Sequence, residues 1–227
     1  AVSDLRGLIC PVCRQLLSRQ GDNLICAGGH AINVNRRGCV NLLSAQADTF
    51  YDAALFAARE RVFAAGCYQP VADAIDALLP DAPQKLLDAG CGEGWYDRCI
   101  ARQFGEAGRP LELAGFDIAK PAVRLAAKAL PSARYAVASS FHQPVRTGWA
   151  DVLLNCFSPF AQEEFLRVLR PGGRLIYAVP GPEHLFQVKA VLYEKPYKNP
   201  VQEVEYSGFE AVGEREVSGR ITVPVGQ

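Results

Sequence analysis

The chain has 227 residues, of which 49% are hydrophobic and 21% are charged, and its 24 Lys and Arg balance its 24 Asp and Glu. This length predicts one ordinary domain joined to a much smaller one, and the composition excludes a mainly disordered protein. The balanced charge means that any surface for nucleic acid must be local. No apolar run approaches the roughly 18 to 20 residues that span a membrane, and the first residues lack a signal-peptide pattern, so we predict a cytoplasmic protein without membrane contact.

The segment 7–45 is rich in Cys, Gly and Arg and shows no helical period longer than one or two turns. In it, Cys10-Pro-Val-Cys13 is followed twelve residues later by Cys26-Ala-Gly-Gly-His30. Two thiolates spaced by two residues clasp one side of a tetrahedral ion, and a Cys/His pair can close the other side. Because four protein ligands leave no open position, the pattern predicts a structural zinc ion that also folds the segment.

Two other interpretations of these cysteines are a redox-active Cys-x-x-Cys pair and accidental clustering. A redox pair normally begins a helix in a thioredoxin-like domain, and the surrounding sequence does not predict one. The four cysteines of the larger part of the chain are scattered singly, which favours free thiols in a reducing compartment. They are Cys67, Cys91, Cys99 and Cys156.

Arginines outnumber acidic residues in the first 46 residues. The arginines are Arg6, Arg14, Arg19, Arg36 and Arg37, against Asp4 and Asp22. This local excess predicts either an RNA-facing surface or an ordinary solvated face, and the sequence leaves both open.

Two helices are predicted next, one that carries Ala53, Leu55 and Phe63 and one from about Val71 to Leu79. From residue 85 onward, short apolar strands alternate with helices. The predicted strands are 86–90, 111–118, 135–138, 151–155 and 174–179, and the predicted helices are 96–104, 122–130 and 162–169. This alternation predicts an α/β fold with a doubly wound parallel sheet, which binds ligands at the carboxyl ends of its strands.

A glycine loop, with Gly90, Gly92 and Gly94, lies directly after the first of these strands and before a helix. Its spacing differs from the Gly-x-Gly-x-x-Gly of nicotinamide enzymes, and it lacks the Gly-Lys-Ser/Thr of a phosphate-binding loop. Asp88 precedes the glycines, and Asp117 ends the next strand. A carboxylate at the position of Asp117 can accept both hydroxyls of a ribose, and Asp88 can organise the loop and meet a cationic ligand group.

Two acids around a three-glycine loop resemble the signature of class I (Rossmann-like) methyltransferases, which implies S-adenosylmethionine as the cofactor. Pro171-Gly172-Gly173 between the last helix and an apolar strand adds to this resemblance.

With the cysteine motif included, the chain resembles the RlmA family of 23S ribosomal RNA guanine-N1 methyltransferases from about residue 8 to about residue 210. Besides the metal motif and residues 88–94, the stretches that carry this resemblance are Gly38 with 40–43, Gly66 with 68–70, 137–140 and 180–185. The resemblance implies methyl transfer to N1 of a guanine in an RNA hairpin, and it suggests cofactor contacts from Tyr68, Gly92, Glu93 and His184.

The predicted site residues follow from these motifs. The predicted cofactor contacts are Tyr68, Asp88, Gly90, Gly92, Glu93, Gly94, Asp117, Ile118, Ser139, Asn155 and His184, and the predicted zinc ligands are Cys10, Cys13, Cys26 and His30.

The loop 155–160 follows the fourth strand of the alternating region, where such enzymes present the substrate pocket. Asn155 is interpreted as a polar contact, and Phe157 or Phe160 as a ring that stacks on the target base, with core packing as the alternative for each. No general base identifies itself: His142, Glu183 and His184 are candidates. The catalytic candidates are therefore Asn155, Phe160 and His184.

We predict a zinc-binding, RNA-recognition domain over residues 1–46 and a methyltransferase domain over 47–227. The resemblance also implies a further C-terminal segment beyond Gln227. A homodimer that pairs two zinc modules is left open, since nothing in the sequence requires it. Two other functions stay open. One is a methyltransferase for a small molecule with the zinc module as a lid, and the other is a non-catalytic module that binds RNA or protein.

Overall fold

The computed structural model describes residues 7–36, 38–43, 52–81, 84–201, 204 and 206–221. Its N-terminal part is a three-stranded antiparallel sheet in the order β1-β2-β3. The strands are β1 (Leu17–Gln20), β2 (Asn23–Cys26) and β3 (Ala31–Asn33). They are too short to enclose a core of their own, and the buried side chains of Leu17 and Leu24 lie in one cluster with Cys10 and Cys26.

The larger part is a six-stranded sheet in the order β4-β7-β6-β5-β8-β9, in which every described pair is parallel. Its strands are β4 (Val40–Asn41), β5 (Gln84–Ala89), β6 (Leu111–Asp117), β7 (Arg134–Val137), β8 (Ala150–Cys156) and β9 (Leu169–Ala178). The predicted α/β class is confirmed. The strand order reverses at β5, so a crevice forms where β5, β6 and β8 end.

Strand β9 begins earlier than predicted. The sequence pattern predicts Pro171-Gly172-Gly173 between helix and strand, but the strand already starts at Leu169. Ala150 aligns with Leu169 and Val152 with Arg174, so residues 170–173 bulge out of the ladder. The extra residues loop out before the regular pairing resumes, as in a β-bulge.

Six helices are described: α1 (Ala53–Ala64), α2 (Gln69–Leu78), α3 (Trp95–Glu106), α4 (Lys120–Ala129), α5 (Gln162–Val168) and α6 (Phe186–Leu192). The first five agree with the predicted helices to within a few residues, and α6 was not predicted. Residues 193–201, 204 and 206–221 carry no helix or strand. No described helix is long and apolar enough to cross a membrane.

Different parts of the protein pack against the two faces of the large sheet. Because successive side chains of a strand point to opposite faces, Leu86 packs with α2, α3 and α4, whereas Leu87 packs in the cluster that contains the zinc module. In that second cluster, Leu8 lies with Val145 and Trp149 over the sheet. The N-terminal module therefore covers part of a sheet face, together with α5.

Backbone hydrogen bonds also join the two parts. Ile9 N donates to Pro144 O at 2.9 Å, Arg146 N donates to Gly7 O at 2.8 Å, and Leu42 N donates to Val137 O at 2.8 Å. Strand β4 lies within the predicted zinc-binding domain of residues 1–46, yet it pairs with β7 at the edge of the large sheet. The small module is thus an integral layer of the fold.

The end of the glycine loop permits a close approach of α3 to α4. Gly94 is the N-cap of α3, with φ 71° and ψ 30°. A Cβ at this position would lie 2.9 Å from Ala126 Cβ and 3.1 Å from the Tyr135 hydroxyl. Gly108 has a similar φ of 64°, but a Cβ there would meet nothing within 4 Å.

We predict that Gly94→Ala lowers the free energy of unfolding more than Gly108→Ala does. Both changes carry the left-handed backbone penalty of about 1–2 kcal/mol, and Gly94→Ala adds a steric cost of about 1–3 kcal/mol. Urea unfolding of the two variants and the wild type measures the difference. Equal losses in the two variants would contradict the close approach at Gly94.

Candidate functional site

The four predicted zinc ligands come together. Their ligand atoms all lie within 4.8 Å of one another, with Cys13 Sγ 3.5 Å from Cys26 Sγ and Cys26 Sγ 3.3 Å from His30 Nδ1. A zinc ion with Zn–S bonds of about 2.3 Å and Zn–N bonds of about 2.0 Å needs tetrahedral edges of roughly 3.5–3.8 Å. The donor set therefore fits zinc with little movement, and its four ligands make the ion structural.

Two tight turns bring these ligands together. Arg14 N donates to Cys10 O at 2.9 Å, which turns Cys13 back toward Cys10. Gly29 N donates to Cys26 O at 2.9 Å, which does the same for the second pair. Cys10 and Cys26 are buried, whereas Cys13 and His30 are half-buried. The ion would therefore lie between the core and the surface of the module.

Backbone and side-chain hydrogen bonds join the glycine loop to the end of strand β6. Gly90 N and Cys91 N both donate to Phe116 O, at 2.9 and 3.0 Å. Asp117 accepts hydrogen bonds from Gly92 N at 3.0 Å and from Ala119 N at 2.7 Å, one on each carboxylate oxygen. Each oxygen keeps a lone pair, so Asp117 can still accept hydroxyl groups from a ribose.

A second carboxyl lies buried beside Asp88. Asp88 and Asp97 are 1% and 0% exposed, and Tyr135 donates its hydroxyl proton to Asp97 Oδ2 at 2.9 Å. Burial raises the pKa of Asp88 well above its usual range, and the negative charge of Asp97 raises it further. Burial likewise raises the pKa of Asp97 to about 6, against the lowering effect of the Tyr135 hydrogen bond. This pair therefore retains a proton under conditions in which exposed carboxyls have lost theirs.

The retained proton also explains two buried oxygen atoms. Asp88 Oδ1 and Asp97 Oδ1 are both buried and have no other hydrogen-bond partner among the described residues. Buried polar atoms are normally satisfied, and a proton shared by the two carboxyls satisfies both of these. The predicted contact of Asp88 with a cationic ligand group stays a prediction.

Tyr68, Phe157 and His184 form a ring cluster at the same end of the sheet. The Tyr68 hydroxyl lies 3.3 Å from His184 Nε2, and the rings of Phe157 and His184 lie 5.8 Å apart at an angle of 19°. Burial, with the positive charge of Lys189, lowers the pKa of His184, so its ring is neutral at pH 7. The sequence had named Tyr68 and His184 separately, and the fold places them in contact.

Asn155 lies where the sequence predicted but does not face solvent. It is 0% exposed, and its Nδ2 donates to Ala89 O at 2.9 Å and to Pro159 O at 3.4 Å. In this position it fastens the end of β8 to the end of β5. Its Oδ1 has no hydrogen-bond partner among the described residues, so the predicted polar contact of Asn155 stays a prediction.

Phe160 is half-buried and packs in an aromatic cluster. It contacts the rings of Phe165, Tyr177, Tyr206 and Phe209, with centroids 5.0–6.3 Å away. These contacts favour the packing alternative for Phe160, and its stacking on a base stays a prediction. Phe157 remains available, since it is 41% exposed.

The other predicted residues take simpler positions. Ile118 is 41% exposed directly after β6, and Ser139 follows β7, where its hydroxyl accepts from Phe141 N at 3.2 Å. His142 is exposed, and Glu183 forms an ion pair with Lys198. Burial, together with nearby Asp88, raises the pKa of Cys156 well above its usual range, which disfavours a nucleophilic thiolate there.

Sequence reasoning missed Arg59. This residue on α1 donates from Nε to both carboxylate oxygens of Glu93, at 2.9 and 3.2 Å, across 34 residues of sequence. Glu93 is buried in the glycine loop, whereas the Arg59 side chain is 45% exposed. A single arginine on a helix has no motif around it, so only the fold shows where it lies.

The excess of arginine on the zinc module is partly internal. Arg14 donates from Nη1 to Gln143 O at 3.1 Å and lies 3.8 Å from Glu164, both in the larger part. Arg19 donates to Gly21 O within the module. Arg6, Arg37 and Asp4 lie outside the described residues.

Comparison with known proteins agrees with the fold and the site. A family model described as "Methyltransferase domain" matches residues 87–177, and one described as "RlmA, N-terminal" matches residues 8–49. The crystal structure of a Methanococcus maripaludis protein, assigned provisionally to the S-adenosylmethionine-dependent methyltransferases, shares the fold. The TM-score is 0.50 at 16% identity, covering 66% of this chain and 74% of that one. The fold and site define a class I S-adenosylmethionine-dependent methyltransferase that carries a zinc ribbon.

Curated relatives narrow the class. YxjB of Bacillus subtilis, whose name assigns it provisionally as a 23S rRNA (guanine-N1)-methyltransferase, is 35% identical over 192 residues, which cover 81% of this chain and 68% of YxjB. The 23S rRNA (guanine(748)-N1)-methyltransferase of Streptomyces fradiae is 35% identical over 191 residues, which cover 81% of this chain and 67% of that enzyme. The chain belongs to the RlmA family of 23S rRNA (guanine-N1)-methyltransferases.

We predict that Cys13→Ser lowers the bound zinc well below one ion per chain and reduces the thermal stability of the whole protein. Loss of one thiolate weakens the metal site, and the module it folds covers a face of the large sheet. Metal analysis by mass spectrometry and calorimetric unfolding measure both effects. Cys67→Ser is the control, because Cys67 lies outside the cluster, and unchanged zinc in Cys13→Ser would contradict the assignment.

The raised pKa of Asp97 predicts a pH-dependent stability. The folded protein holds this proton longer than the unfolded chain, so the stabilisation is complete below pH 4 and is lost as the pH rises through about 6. Between pH 5 and 7 the wild type should lose about 1 kcal/mol more than Asp97→Asn. Urea unfolding at several pH values measures this, with the exposed Asp81→Asn as control. A raised pKa of Asp97 would be refuted if the free energy of unfolding of Asp97→Asn fell between pH 5 and 7 as much as that of the wild type.

Proposed function

We propose that this protein transfers the methyl group of S-adenosylmethionine to N1 of a guanine in 23S ribosomal RNA. The observation that carries the proposal is the joint match of both modules: a zinc ribbon of the RlmA type is built into the same fold as a methyltransferase domain. Both relatives described above are named for this reaction. The hairpin, a homodimer and a cytoplasmic location stay predictions from the sequence.

The cofactor would lie across the carboxyl ends of β5, β6 and β7. Asp117 would accept the ribose hydroxyls, and Ile118 with Ser139 would border the adenine. The amino-acid end would lie over the loop of Gly90 to Gly94, near Asp88 and Glu93. Support for this placement comes from the free lone pairs of Asp117.

S-adenosylmethionine supplies a methyl group that is already activated by its positive sulfur. The residues of this chain therefore have two tasks, to hold the base in line and to accept the proton that guanine N1 loses. His184 suits the second task because its lowered pKa keeps the ring neutral at pH 7. Its Nε2 already lies 3.3 Å from a hydroxyl, that of Tyr68.

Phe157 suits the first task. It is a non-glycine residue with a φ of 54°, a strained conformation that costs about 1–2 kcal/mol. The strained turn places a large aromatic ring at the end of β8, where it packs beside Tyr68 and His184 and stays 41% exposed. Guanine N1 takes part in base pairing, so the base must leave its helix, and a stacked ring then holds it.

The zinc module would then contribute to RNA binding. Arg36 and Arg19 remain on it, whereas Arg14 is engaged with the larger part. Binding through phosphates weakens steeply as salt rises. A methyltransferase for a small molecule would not show this dependence.

We expect one modified guanine when the full chain acts on 23S rRNA from a strain that lacks this methylation. Methyl transfer from radiolabelled S-adenosylmethionine is measured first, and the position is then mapped by reverse transcription, which stops at a blocked N1 edge. Phe157→Ala should lower the rate of transfer at least tenfold, while Phe157→Tyr, which keeps the ring, should retain most of it. Tight cofactor binding without any labelled RNA would instead support the small-molecule function.

A further inference from the structure

Three carboxyl groups lie within the predicted cofactor loop or beside it, those of Asp88, Glu93 and Asp117, and Asp88 and Glu93 are buried. Because the Asp88–Asp97 pair retains a proton, the negative charge at the loop lies mainly on Glu93 and Asp117. Such a site attracts the sulfonium and ammonium groups of S-adenosylmethionine. The same site repels the carboxylate of the amino-acid end unless a cation lies close to it.

Arg59 is a cation in the required place. A Cβ on Gly92, the middle glycine of the loop, would lie 3.7 Å from Arg59 Nη2. The guanidinium is also near enough to lower the pKa of Asp117 and of Tyr68 against the raising effect of their burial. Arg59 therefore lies over the loop and between two predicted cofactor contacts.

The fold holds Arg59 in this position from two sides. Glu93 accepts both hydrogen bonds from its Nε, and the Phe63 ring lies below the guanidinium at 5.3 Å. Phe63 in turn stacks on Trp95 with centroids 4.7 Å apart, which fixes α1 against the start of α3. A side chain held in this way loses little further entropy when it binds a ligand.

The ends of the guanidinium remain available. Only Nε contacts Glu93, and neither Nη nitrogen of Arg59 has a hydrogen-bond partner among the described residues. Two terminal N–H groups of an arginine match the two oxygens of a carboxylate. The nearby Arg98 is less suitable, since its Nη1 already donates to the Glu93 carbonyl at 3.2 Å.

We propose that Arg59 binds the carboxylate of S-adenosylmethionine and that Glu93 orients the guanidinium for this contact. Arg59 thereby makes the site selective for a cofactor with an intact amino-acid end. The inference rests on S-adenosylmethionine as the cofactor, which the proposed function also requires, and not on the identity of the RNA.

The test compares S-adenosylmethionine with decarboxylated S-adenosylmethionine, which keeps the adenosine, sulfonium and amine but lacks the carboxylate. Isothermal titration calorimetry gives the Kd of each for the full chain without RNA. The wild type should bind the intact cofactor roughly ten- to a hundredfold more tightly, the value of charge-assisted hydrogen bonds. Arg59→Gln should weaken binding of the intact cofactor and so lose most of this preference. Gln is chosen because its amide can still donate to Glu93.

Arg61→Gln is the matched control. Arg61 lies two residues away on the same helix, is exposed, and donates to Ala57 O of that helix, so the variant removes the same charge away from the loop. It should keep the wild-type preference, and Arg59→Lys should keep part of it. Equal weakening of both ligands by Arg59→Gln, or no weakening, would overturn the inference alone. Failure of the wild type to bind S-adenosylmethionine would overturn the proposed function as well.

Discussion

The fold depends on how one face of the parallel sheet is shielded from water. Helices α2, α3 and α4 cover one face, but much of the other face is covered by a segment that has no core of its own. Leu8, Val145 and Trp149 form the contact, and a metal ion must hold the segment in shape because its strands are only three or four residues long. Zinc coordination thus stabilises the methyltransferase sheet indirectly, because the segment that zinc folds packs its apolar side chains against that sheet.

The site contains buried carboxyl groups whose negative charge is neutralised or stabilised in different ways. Asp88 and Asp97 are crowded together out of water, so burial and mutual repulsion keep a proton on the pair. Asp117 is satisfied by two backbone N–H groups, and Glu93 by Arg59. Asp117 keeps free lone pairs, and Arg59 keeps both of its Nη nitrogens free of partners among the described residues. The carboxyl end of the sheet therefore offers both an acceptor and a cationic donor to a ligand.

Much of this could be predicted from the sequence where the signal is local. The zinc ligands, the glycine loop and the alternating strands and helices are all set by spacing over a few residues. The position of Arg59 could not be predicted, because its partner Glu93 lies 34 residues away and no sequence motif contains both residues. The same limit applies to Phe160, since three of the four rings that it contacts, those of Tyr177, Tyr206 and Phe209, come from more distant parts of the chain. The early start of β9 was missed because Pro and Gly ordinarily end a strand, and a bulge tolerates them.

The end of β8 shows why neighbouring residues in one loop take opposite roles. Asn155 points into the fold and fastens β8 to β5, so the strand ends that carry the cofactor loop keep a fixed separation. Two residues later, Phe157 has a left-handed backbone, and its ring stays 41% exposed beside Tyr68 and His184. The half-buried Phe160 then anchors the loop in an aromatic cluster. A strained residue between two anchored ones is held in place by the structure on either side, and the proposed in-line positioning of a base would need such rigidity.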